Sequence, residues 1–240
     1  MKIEALLHPL GVLDAAALAF LVLCWLVMTQ IIENRRAARP SVSVLMVNYR
    51  RQWMRNAITR DPRVFDAMLM TSLRDNTAFF ASACMIAIGG GIALIGNAER
   101  LTGLARDLSI DGTTRALLEI KLIVVVLFVT NAFLKFVWSN RIFGYCSVVL
   151  GSIPNTGEDD DTLHRAAQAA ELNIAAARAF NRGLRSVYFS LGSLVWLLGA
   201  LPLIGATLLT VLVLWRREFA SHSRAVLQSD VPEIAEWRGK

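Results

Sequence analysis

"KFVWSNRIFGYCSVVLG", residues 135–151, ends an apolar run and at once introduces Lys135, Trp138, Ser139, Asn140 and Arg141. Those residues either line a site inside a membrane or mark where the chain leaves one. The run before them, residues 116–138, has the roughly 20 apolar residues that a helix rising about 1.5 Å per residue needs to cross some 30 Å of hydrocarbon. At about 100° per residue, Lys121, Asn131, Lys135 and Ser139 fall within an arc of roughly 80°, giving this span one polar stripe. Lys121 and Lys135 lie only about 21 Å apart along the axis, so each can snorkel to one membrane edge. Trp138 then takes the place of an interfacial aromatic, and Ser139, Asn140 and Arg141 are already leaving the membrane. The quoted stretch reads as an exit.

Three further runs have spanning length: residues 11–31, 77–96 and 187–215. The backbone finds no water to bond in lipid, so each must be helical. The expectation is an all-α, polytopic membrane bundle of about four transmembrane helices in one integral-membrane domain, residues 1–240. The composition agrees. The 240 residues are 55% hydrophobic and 18% charged, and the mean hydropathy is +0.49, too apolar for an ordinary soluble domain of this length. The first run has its basic residues after it, at Arg35 and Arg36, the reverse of a cleaved signal peptide, and is expected to be retained as a span.

The formal net charge is +6, and Arg supplies most of the basic residues. Because Arg is concentrated between the apolar runs, where it orients spans and meets anionic head groups, membrane lipid is the expected partner and nucleic acid is not. The connection 33–76 holds nine Arg, 139–186 holds five and 97–115 holds three. Arg-rich connections stay cytoplasmic, so 33–76 and 139–186 are expected inside and the amino terminus outside, in the periplasm.

The carboxyl-terminal tail disturbs that pattern. With four crossings it lies outside, although Arg216, Arg217, Arg224, Arg238 and Lys240 all belong to it. The run 187–215 is too long for one crossing and shorter than the roughly 40 residues two need. A single kinked span is expected, since a hairpin at Gly199-Ala200-Leu201-Pro202 would need protein to cover its turn. The charge distribution argues for the hairpin.

The inside connections read as helices. Val44, Val47, Arg51 and Met54 recur at helical spacing, which suits a helix at the interface or against a partner. Val64, Phe65, Met68, Leu69 and Leu73 form an apolar stripe after Pro62, expected to pack under the bundle. The acidic run 158–161 opens another helix and offsets its dipole. Ala83, Ala87 and Gly91, at four-residue intervals, suit close helix packing.

Signatures of chemistry are missing. No zinc-protease, nucleophile-elbow, phosphate-loop or dinucleotide motif occurs, the three histidines are scattered, and Cys24, Cys84 and Cys146 show no ligand spacing. No enzyme activity, metal or cofactor is expected. Asn131 lies deeper than the lysines, and an interhelical hydrogen bond is its expected role. Asp14 is expected beside Lys121, and Asp75 beside Lys135, because unpaired charges there would be costly.

Five phrases carry a resemblance: "WMRNAITRDPRVFDAMLMTSL" (53–73), "NTAFFAS" (76–82), "KFVWSNRIFGYCSVVLGSIP" (135–154), "NRGLRSVYFSLGSLVWLLG" (181–199) and "LWRREFASHS" (214–223). Together and in this order the chain resembles an uncharacterised proteobacterial membrane-protein family, a domain of unknown function. The resemblance implies a bacterial inner-membrane protein with about four spans and supplies no activity. Ile142 stands where that family commonly has Gln. The expected function is a non-catalytic bundle whose Arg35, Arg36, Arg39, Arg50, Arg51 and Arg55 engage anionic head groups or a membrane-protein partner. The alternative is a homo-oligomeric transporter or channel lined by Lys121, Asn131 and Lys135.

Overall fold

The structure, a computed structural model, describes residues 11–99, 114–154 and 159–229. Most of the described residues are helical. They form α1 (Val12–Glu33), α2 (Val42–Asn56), α3 (Val64–Gly96), α4 (Arg115–Gly151), α5 (Asp160–Leu194), a 3-10 turn (Val195–Leu198), α6 (Ala200–Phe219) and α7 (His222–Gln228). Four segments are long and apolar enough to cross a membrane: α1, α3, α4 and the stretch Ala200–Gln228.

Two spans are longer than the sequence pattern predicts. α3 begins at Val64 instead of residue 77, and α4 runs on to Gly151 instead of ending near Trp138. At about 1.5 Å per residue they are some 50 and 55 Å long, well beyond the hydrocarbon. Hydropathy marks where a helix leaves lipid, and the helix itself continues because nothing in Ser139-Asn140-Arg141 breaks it. α4 and α5 pack along each other and carry a second core beyond the membrane, where Met54, Met70, Phe143, Cys146 and Ala169 are buried.

The predicted start of α5 is built as the charge pattern requires. Asp159 is its N-cap and accepts a 2.7 Å bond from the Thr162 amide, with Asp160 and Asp161 in the first turn. Arg63 ties the extension together. Its guanidinium donates to the carbonyls of Ala57, Ile58, Ile153 and Pro154, joining the α2–α3 link to the end of α4. The buried Asp66 accepts from Trp53 Nε1 at 2.7 Å and from Arg60.

The run 187–215 is a hairpin, not one kinked span. Arg217 Nη1 donates to Tyr188 Oη at 2.6 Å, and a Cβ on Gly192 would lie 3.0 Å from Thr210 Oγ1, so α6 returns antiparallel along α5. The turn is Gly199, whose φ of 124° and ψ of 172° suit glycine, while Pro202 in the first turn of α6 gives up no helical bond. The first arm is longer than hydropathy predicts because it extends back through Arg182 and Arg185, whose charges hydropathy excludes from a span. Taken from 180 to 219, the hairpin has the roughly 40 residues that two crossings need. The hairpin also removes the charge conflict, because Arg216, Arg217 and Arg224 end beside the Arg-rich connections. Arg224 Nε donates to the Pro40 carbonyl at 3.1 Å.

Two connecting helices differ from expectation. α2 runs antiparallel along α5, with Ser43 by Asn181 and Arg51 by Glu171, and so packs within the bundle. Of the predicted stripe Val64, Phe65, Met68 and Leu69 face outward and Leu73 packs against the core, which Asp66, Met70 and Thr77 on the same helix also face. The apolar stripe was read as the buried face, but the α3 contact is made by the side that carries Asp66. Gly91 does meet α4 closely, a Cβ there falling 2.5 Å from Val126 Cγ2, while Ala83 and Ala87 are exposed.

Candidate functional site

α1, α2, α5, α6 and α7 converge at the Arg-rich end. α1 stops at Glu33, and the chain turns into α2 through the buried Ser41, whose hydroxyl donates to Ile32 O at 2.7 Å and accepts from the Val44 amide at 3.1 Å. That turn sets Ser43 facing the last residues of α6. Both the Ser43 amide and hydroxyl donate to the Glu218 carboxylate at 3.1 Å, and Asn181 Nδ2 donates to Ser43 Oγ at 3.3 Å. These elements leave a cavity of about 350 Å³ between them.

The charge of the lining is unbalanced. Arg35, Arg50, Arg178, Arg185 and Arg217 face it against only Glu33 and Glu218. Glu33 is already satisfied: Arg182 grips it in a fork, Nε at 2.8 Å and Nη2 at 2.5 Å, and Arg185 Nη2 donates to the same carboxylate. The Arg185 side chain is 4% exposed, yet its Nε–H is buried without a partner. A buried donor left unpaired costs about 1–3 kcal/mol, which an acceptor entering the cavity would offset. Arg50 donates to the fully buried Asn173, whose amide donates onward to Met70 Sδ at 3.4 Å, and burial holds Arg50 below its ordinary value. Arg178 makes no hydrogen bond or ion pair among the described residues, its charge acting only at longer range on Glu33. Val42, Val44, Met46, Val47, Ile174 and Ala177 make the remaining wall largely apolar. The arrangement can take an anion attached to an apolar body.

The structure distributes the residues singled out from sequence over several places. Arg35 and Arg50 line the cavity. Arg36 and Arg39 are exposed in the α1–α2 link at the same end. Arg51 pairs with Glu171, and Arg51 and Arg55 border a separate shallow groove near Leu163 and Ala166. Because α2 stands upright, Arg55 is some 18 Å of helical rise beyond Ser43, away from the membrane edge. The polar stripe of α4 is a helix contact. Asn131 accepts from Ser186 Oγ at 3.2 Å, and Ser139 Oγ donates to Ala176 O at 2.8 Å, both across to α5.

At the opposite end Asp14 accepts from Trp196 Nε1 at 2.6 Å, and Lys121 Nζ lies 5.7 Å from the centroid of the same indole. Asp14 and Lys121 act on each other electrostatically without direct contact. Lys135 and Asp75 form no ion pair among the described residues. Asp75 sits instead on the open side of α3, by Met68, Thr71 and Ser72. No group of His, Cys, Asp and Glu among the described residues is placed to hold a metal.

Sequence reasoning missed Glu33, Ser43, Arg178, Arg185, Arg217 and Glu218. A partial signal was present in Arg178, Asn181, Arg182 and Arg185, which recur at helical spacing on one side of α5. A family model described as a protein of unknown function, DUF599, matches residues 16–223. The chain belongs to the DUF599 family. That match takes in every residue lining the cavity, from Glu33 to Ser223, so the cavity is part of the DUF599 unit; Asp14 lies outside it. No curated protein and no solved structure matches the chain.

Proposed function

We propose that this DUF599 protein is a non-catalytic, multi-pass protein of the bacterial cytoplasmic membrane whose Arg-rich end engages anionic lipid head groups. The amino terminus is periplasmic in this reading, and both long connections and the carboxyl-terminal tail are cytoplasmic. With the hairpin, nineteen basic residues fall on the cytoplasmic side and four on the other, the asymmetry that orients inner-membrane proteins. The observation that carries the reading is the cavity, which gathers five guanidinium groups against two carboxylates where α1 and α6 end. Arg35, Arg36 and Arg39 add exposed cations in the α1–α2 link beside it, and a polybasic segment near an anionic surface gains about 1 kcal/mol per cation. The transport alternative draws no support from the α4 stripe, because Asn131 and Ser139 bond across to α5.

The test is reconstitution of the full chain in nanodiscs containing equal phosphatidylglycerol and phosphatidylcholine, followed by analysis of the lipids retained after stripping with mild detergent. Phosphatidylglycerol should be enriched, and neutralising Arg35, Arg36 and Arg39 together should reduce the enrichment. Equal retention of the two lipids by the wild type removes the reading.

A further inference from the structure

We infer that the cavity is a saturable site for one phosphate group carried on a short apolar body, a proposal that rests on the anionic-lipid reading and narrows it to one pocket. Two features point to phosphate. Arg185, a residue of the cavity lining, has its Nε–H buried without an acceptor, although Nη2 of the same guanidinium donates to Glu33. Arg178, two turns earlier on the same helix and also lining the cavity, has no hydrogen-bond partner among the described residues. Asn181 lies between them on the same side of α5. Two guanidinium groups some 10 Å apart along the helix have side chains long enough to converge on one tetrahedral oxyanion, whose several acceptor oxygens match their forked donors.

The charge count agrees with this choice. Glu33 and Glu218 together answer only two of the five lining arginines, leaving an excess that a phosphate of one or two negative charges reduces. A phosphomonoester offers three unesterified oxygens and up to two charges, where a carboxylate offers two oxygens and one charge. Apolar lining comes from Val44 and Val47 on α2 and from Ile174 beside Arg178 on α5, and a cavity of about 350 Å³ holds a phosphate and a glycerol-sized body but not two acyl chains. A phospholipid bound by its head, its chains leaving along the outside of the bundle, satisfies both kinds of lining. A soluble phosphate ester has the same recognition chemistry, and the experiment separates the two.

The full chain in neutral detergent is titrated by native mass spectrometry and calorimetry with dihexanoyl phosphatidic acid, glycerol 3-phosphate and inorganic phosphate. The expected result is one saturable equivalent of the lipid per chain, with the two soluble probes weaker. Arg178→Gln and Arg35→Gln, which leave the Glu33 pairs in place, should each weaken binding by about tenfold or more, the loss of a charge-assisted hydrogen bond. Arg51→Gln, outside the cavity, should bind as the wild type does. Equal binding of glycerol 3-phosphate and lipid would keep the phosphate site and overturn its assignment to lipid. Unchanged binding in both cavity variants, with phosphatidylglycerol still enriched in nanodiscs, would overturn the pocket and leave the broader reading standing. Loss of that enrichment in the wild type would remove both.

Discussion

Gly183 is the point where the two longest helices press hardest on one another, and adding one methyl group there tests the architecture. A Cβ at this position would lie 2.7 Å from Phe136 Cε1 and 2.9 Å from both Cδ1 and Cζ. The ring has little room to retreat. Phe136 is fully buried, with the rings of Phe80 and Phe180 each 5.4 Å from its centroid. Overpacking of this kind costs about 1–3 kcal/mol, and replacing glycine by alanine within a helix returns up to about 1 kcal/mol through backbone entropy. With the ring boxed in, the clash should dominate, and Gly183→Ala should lose about 1–2 kcal/mol net. For a chain of this length that lowers Tm by about 2–8 °C.

Gly144, on α4, supplies the control, since a Cβ there meets nothing within 4 Å. Gly144→Ala should leave Tm unchanged or raise it. Intrinsic tryptophan fluorescence during heating in one detergent compares the two variants, and Phe136→Leu should recover part of the loss in a Gly183→Ala background, as expected for residues in contact. If Gly183→Ala melts at or above Gly144→Ala, the α4–α5 contact described here is wrong.

The remaining predictions concern the turn, the topology and the start of α5. Gly199→Ala places a side chain at φ 124°, ψ 172°, where non-glycine residues are strained, and should cost about 1–3 kcal/mol, read as a lowered Tm or folded yield. In a background without Cys24, Cys84 and Cys146, single cysteines at exposed Asn56 and Ala220 should be labelled by a membrane-impermeant maleimide from the same side, and one at Asn97 from the other. Labelling of 220 together with 97 would reject the hairpin. At the start of α5, the hydrogen bond from Thr162 holds the Asp159 carboxyl below its ordinary value. Its contribution is therefore present above the unfolded carboxylate range and is lost as pH falls through the lowered folded value. Relative to the intrinsic exchange rate at each pH, amide protection across residues 160–164 should fall on acidification in the wild type, and Asp159→Ala should show low protection at neutral pH with little further change.

Much of this fold is a local matter, and local matters are legible in a sequence. A run such as 11–31 must be a helix wherever it packs, because lipid offers its backbone no partner. Asp159 announces a helix start because the capping bond reaches only three residues ahead. The family resemblance was legible too, in phrases distributed from residue 53 to residue 223.

What the tertiary structure decided depends on residues far apart in the chain. Arg182 and Arg185 read as charges on a helix of the connection, short of the span, until Glu33, 149 residues from Arg182, neutralises them and lets α5 continue into the hairpin. Hydropathy sums each residue as though its charge were uncompensated, so it starts that arm too late and sets residues 216–224 at the opposite end from the α1–α2 link, beside which Arg224 packs. The same limit hid the cavity. Its five arginines come from four separate segments, and only the return of α6 at Gly199 brings Arg217 and Glu218 against Ser43 and Arg185.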